Sequence, residues 1–200
     1  MNIEEKVQNR INSLRWARQR FEIAKYKPWL YNNSIYLDNT EWTDYYAVGK
    51  YISYEQYEII ERQYVNIVMS IVDSSNCKYL TLVCLSMFEK ELNKNIRNKK
   101  EIYTSHDNKR IVFRYNDTDL FLMKKALFLK NYQRVSKKEL PDVVKMLLRC
   151  YIFATLVNES KKLQFEFPGN YYMWLHCNNL ELNKLKSIVK KNGLYLNPRD

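Results

Sequence analysis

Glycine, proline and alanine are scarce in this chain, with three, four and five residues among 200. Three glycines cannot supply a Walker A loop or a GxGxxG fingerprint, in which the backbone must approach a phosphate closely. The composition equally excludes collagen-like chains and the Pro/Gly-rich disordered class. Histidine is limited to His106 and His176, and neither an HExxH pair nor a GxSxG elbow occurs. The four cysteines, Cys77, Cys84, Cys150 and Cys177, form no CxxC pair. Only His176 and Cys177 are adjacent, a spacing that standard zinc sites do not use. No metal and no cofactor is therefore expected, and the thiols read as free and buried in a reducing compartment. The longest apolar run, Leu80 to Phe88, is broken by Thr81 and Ser86 and falls far short of the ~20 residues that span a bilayer. The acidic, polar start Met1–Glu5 is followed by no apolar signal region. These absences predict a protein without a membrane segment, cytoplasmic or otherwise intracellular in a host cell.

Against that scarcity stand 22 Lys, 21 Asn, 17 Tyr and 14 Ile. Their codons are rich in A and T, which points to an AT-rich genome and is consistent with a virus, a phage or a mobile element. The bias also discounts any single Lys, Asn or Tyr as functional evidence. With 46% hydrophobic and 14% aromatic residues there is ample material for a packed core. The net charge of +11 is unevenly spread: +4 over residues 1–30, −5 over 31–75 and +12 over 76–200. Surplus cationic surface attracts polyanions, an effect that fades as salt rises.

Hydrophobic periodicity divides the chain further. A helix is predicted over Ile3–Lys27, closed by Pro28, with Ile3, Val7, Ile11, Leu14, Phe21 and Ala24 along one face. Residues 28–52 read as an ordered, aromatic-rich irregular segment. Ser53 with Gln56 has capping-box spacing and opens a second helix with a stripe from Tyr57 to Ile71. Residues 78–95 suit either a buried helix or a central strand over Tyr79–Phe88; the following Glu89-Lys90-Glu91-Leu92 favours the helix. Residues 101–115 and 164–175 read as hairpins. Asn116 caps a helix to about Tyr132, and the most apolar helix is expected over 140–159. Asn178 and Glu181 open a last helix, ended by Asn192-Gly193 and followed by a short strand. The expected fold is α+β and predominantly helical: five or six helices around the central 140–159 helix, with two small hairpins, in one domain over 1–200.

No catalytic constellation is legible, so the first reading is a non-enzymatic, basic, nucleic-acid-associated protein. Phosphates of DNA or RNA would be met by Arg15, Arg18 and Arg20 on the first helix and by Lys109, Arg110 and Arg114 on the first hairpin. Lys184, Lys190 and Lys191 on the last helix complete that set. The alternative is a protein-binding inhibitor or adaptor that docks on a host nucleoprotein complex through Trp29, Tyr31, Trp42, Tyr45 and Tyr46. A metal-dependent nuclease assembled from scattered acids and lysines is the third reading.

Overall fold

A computed structural model describes residues 19–25, 45, 48, 52–104, 110–169, 172–178 and 180–198. Nine strands and five helices lie among them. The strands are β1 (Gln19–Ala24), β2 (Tyr79–Ser86), β3 (Lys100–Thr104), β4 (Arg110–Arg114), β5 (Arg134–Ser136), β6 (Phe153–Asn158), β7 (Leu163–Gly169), β8 (Tyr172–Cys177) and β9 (Tyr195–Pro198). The helices are α1 (Tyr54–Ser74), α2 (Glu89–Asn98), α3 (Asp117–Ala126), α4 (Leu140–Leu148) and α5 (Leu182–Lys191). Seven strands form one antiparallel sheet in the order β5-β2-β6-β7-β8-β1-β9, and β3 and β4 pair separately.

A large sheet therefore replaces the predominantly helical architecture that periodicity predicts. Three segments carry the difference. The apolar stretch 140–159 is helical only to Leu148; Arg149 caps it, Cys150 turns the chain at φ 57, and Phe153–Asn158 is a strand. Buried on both faces over Leu156–Asn158, β6 continues an apolar run, Tyr151–Val157, broken only by Thr155, which periodicity alone does not separate from a buried helix. Tyr79–Ser86 is likewise a strand and not the first half of a helix. Its register with β6 shifts between Val83 and Ser86, where Cys84 sits at φ 55, and α2 starts only at Glu89. Finally, Gln19–Ala24 pairs with both β8 and β9 as a strand, so the helix expected to Lys27 does not extend through it. Residues 3–18 lie outside the described residues, as does most of the aromatic segment 28–52.

Other local signals match their elements. Ser53 and Gln56 exchange both bonds of a capping box at the start of α1. Asn116 and Asp119 do the same for α3. At the end of α5, Gly193 takes φ +73, and the N–H groups of Gly193 and Leu194 bond back to the carbonyls of Lys190 and Val189. That is a Schellman end, which suits glycine. The 101–115 hairpin stands alone as β3–β4, whereas the 164–175 hairpin is the middle of the large sheet.

Side-chain alternation gives the sheet two faces. Leu82, Leu156, Phe165, Leu175 and Phe21 are cross-strand partners or near neighbours, all buried, and they face the helices. There α1 packs between α4 and α5, α3 lies on α4, and α2 lies on α3. The opposite face is the more polar of the two, although Val83 and Val157 are buried on it. One cross-strand row runs Thr81, Val157, Gln164, His176, Arg20; the next runs Val83, Thr155, Glu166, Trp174, Glu22, Asn197.

Candidate functional site

Among the described residues, a network of buried charges lies in the core. Arg149, at the end of α4, is fully buried. Its Nε donates to Glu61 Oε1 at 2.6 Å and its Nη2 to Glu61 Oε2 at 2.7 Å, a bidentate pair. Its Nη1 donates to Asp119 Oδ1 at 2.6 Å, an oxygen that also accepts from the hydroxyls of Tyr45 and Tyr151. The guanidinium lies 4.9 Å from the Tyr45 ring centroid and 5.5 Å from that of Tyr54. Burial opposes the charge on Arg149, but the bonds and attraction of Glu61 more than offset it and hold the pKa above the ordinary arginine value. Burial also raises the phenols of Tyr45 and Tyr151, so both remain hydrogen-bond donors. This cluster ties α1, α3, α4 and the Tyr45 segment together, with its charged side chains sealed from solvent. Its role is architectural.

The cluster is hard to see in the sequence for an identifiable reason. Glu61 falls four residues after Tyr57 on the buried stripe of α1, and Arg149 interrupts the most apolar segment of the chain. A charge at a core position is the signal that a buried pair leaves in a sequence. Asp119 reads locally as a capping residue; it caps α3 with Oδ2 and serves Arg149 with Oδ1.

The cations sit elsewhere. Helix α5 buries Leu185 and Val189 and exposes Lys184, Lys186, Lys190 and Lys191. It carries no acid, and none of its four lysines has an ion-pair partner among the described residues. In the separate hairpin, Lys100 and Arg114 stand directly opposite each other, both exposed, beside Lys99 at φ 54. Like charges in that position repel, and a bound anion relieves the cost.

Of the predicted phosphate contacts, Lys184, Lys190, Lys191 and Arg114 are thus exposed cations. Arg20 differs: it is half-buried on β1, beside His176 on the polar face of the sheet. Arg110 opens β4, with its side chain outside the described residues; Arg15, Arg18 and Lys109 lie outside them as well. The hairpin packs on α2, and α5 packs on α1 and β9, so the two exposed groups sit on elements with different packing partners. Of the aromatic partner-binding set, Trp29, Tyr31, Trp42 and Tyr46 lie outside the described residues. Tyr45 is 1% exposed, with its ring edge-on to Tyr57 and Phe113. It is a core residue and presents no surface to a partner.

The polar face of the sheet holds a second network. Glu166 Oε1 accepts from Gln164 Nε2 and lies 3.5 Å from His176 Nε2, while Asn197 Nδ2 donates to Glu22 Oε1 at 3.2 Å. Gln164 and Asn197 are themselves buried, and Gln164 Oε1 and Asn197 Oδ1 accept no hydrogen bond from the described residues. A surface cavity of about 180 Å³ adjoins this network, lined by Cys84, Phe153, Thr155, Glu166, Phe167 and Pro168 among others. No grouping of His, Cys, Asp and Glu suited to a metal ion occurs among the described residues, and none of their helices is long and apolar enough to cross a membrane.

No family matches the chain, and no curated protein or solved structure is detectably similar to it.

Proposed function

We propose that this protein associates with nucleic acid through phosphate contacts and carries out no chemistry on it. The observation that supports this reading is α5: four exposed lysines on one ten-residue helix, no acid among them, and no ion pair on any among the described residues. Exposed lysines left unpaired are available to replace the counterions condensed on a phosphate backbone, and release of those ions drives association. The opposed Lys100 and Arg114 add a second point of like-charge repulsion that a phosphate would relieve. The net charge of +11 supplies long-range attraction to the same ligand.

The test is a fluorescence-anisotropy titration with single-stranded and duplex DNA and RNA at ~50 and ~200 mM salt. The expected result is binding at the lower salt that weakens by roughly 10²-fold or more at the higher, as for a protein that makes several phosphate contacts. Absence of binding to every ligand at the lower salt overturns the reading.

A further inference from the structure

The cavity beside Glu166 opens among aromatic side chains. Phe153 and Phe88 pack edge to face at 6.1 Å, and they are 42% and 65% exposed. Two exposed phenylalanines in contact, on a chain with ample core volume elsewhere, form an apolar patch that folding did not require to be outside. Phe153 lies two residues before Thr155 and so shares the polar face of the sheet. Tyr172 on β8 and Tyr195 on β9 both flank Ala24 at the same end of that face. From β6 to β9 is four strand spacings, or ~19 Å. The aromatic row thus spans a length that several nucleotides occupy.

Chemically, the cavity combines π surface with the Glu166 carboxylate, beside the Thr155 hydroxyl and the Cys84 thiol. Phe153 and Phe167 supply the walls. Glu166 is half-buried and held in place by Gln164, so its carboxylate presents a fixed acceptor and no donor. The volume of about 180 Å³ leaves room for a flat heteroaromatic ring. Unpaired bases stack on aromatic side chains whatever their sequence, and a glutamate accepts from an exocyclic amino group.

We propose that this end of the sheet is a base-stacking site for single-stranded nucleic acid. A base with an exocyclic amino group stacks at Phe88 and Phe153, enters the cavity and donates to Glu166. The proposal rests on the phosphate-binding reading above and narrows it: the preferred ligand is single-stranded, and cytosine or adenine is favoured over thymine. A duplex keeps its bases stacked on one another and engages only the lysines.

The experiment compares oligo-dC, oligo-dA and oligo-dT of ~12 nucleotides with a duplex of equal length, a size within the range one such platform covers. The F88A/F153A variant removes two exposed rings and leaves the core intact. Its affinity for oligo-dC should fall roughly 5- to 100-fold, as expected for the loss of one stacked base, with duplex affinity unchanged. E166Q should erase the preference of oligo-dC over oligo-dT. The exposed Cys84 at the cavity provides an independent readout: saturating oligo-dC should slow its reaction with a maleimide, and the duplex should not. Wild-type affinity of F88A/F153A for oligo-dC, or an unchanged Cys84 rate, overturns the stacking site even where phosphate binding stands. Tighter binding of duplex than of single strand overturns it too. Failure of the wild-type protein to bind any nucleic acid overturns both proposals.

Discussion

Arg149 and Glu61 meet as a two-bond fork in the centre of the protein, 88 residues apart in sequence, with both side chains sealed from water. Beside them Asp119 adds a second carboxylate, so two acids share one guanidinium. Hydroxyl donors from Tyr45 and Tyr151 stabilise the surplus negative charge, as does the first turn of α3, in which Asp119 sits.

Breaking this cluster on one side should be severe. Arg149→Met leaves two buried carboxylates without a counter-charge, which costs about 3–5 kcal/mol. That is a large share of the roughly 5–15 kcal/mol that separates a folded domain from its unfolded chain. Urea unfolding of R149M, E61Q and the double variant measures it. The double variant should lose clearly less than the two singles together, with a coupling of about 1 kcal/mol or more. Strict additivity would show that the pair contributes nothing to stability.

Tyr45 gives a separate test, of whether its ring belongs to the core. Tyr45→Phe keeps the ring among Tyr57, Phe113 and Tyr151 and removes one bond to a charged acceptor, a loss of about 1.5–3 kcal/mol. The melting temperature should fall while affinity for every nucleic-acid ligand stays unchanged. A selective loss of binding, with stability intact, would return Tyr45 to the surface.

The lysines of α5 should behave in the opposite way. K184Q/K190Q/K191Q removes exposed charges that touch no core residue, so stability should move by no more than about 0.5 kcal/mol. Affinity for single strand and duplex should drop together, and the slope of log K against log salt should shrink by about 0.9 for each phosphate no longer neutralised on a duplex. An unchanged slope would place the phosphate-binding role on other cations.

Gly193→Ala probes the end of α5. At φ +73 an alanine is strained by about 1–2 kcal/mol. Its Cβ would meet Gln63 Nε2 at 3.1 Å, the far end of a flexible side chain that can move aside. For a domain of this size the melting temperature should fall by roughly 2–8 °C, taking about 2–4 °C for each kcal/mol. A stabilised variant would mean that the turn is not held in this conformation.

What the sequence determined by itself is local. Ser53 and Gln56, Asn116, and Asn192-Gly193 mark their helix ends because capping is a matter of residues three or four apart. The alternation around Phe113 and Val112 marks the β3–β4 hairpin for the same reason. Three glycines exclude phosphate loops, and helical spacing alone sets the lysines of α5 off its apolar stripe. Tertiary structure decided whatever depends on a neighbour distant in sequence. Gln19–Ala24, Tyr79–Ser86 and Phe153–Asn158 are strands because β8, β9, β5 and β7 complete their hydrogen bonds and the helices cover their apolar face, which overrides helical periodicity. Arg149 is tolerable in the core only because Glu61, Asp119 and two tyrosines converge on it. Phe88, Phe153 and Glu166 become one candidate site for the same reason: two strands and a helix start end side by side, an adjacency that no spacing along the chain encodes.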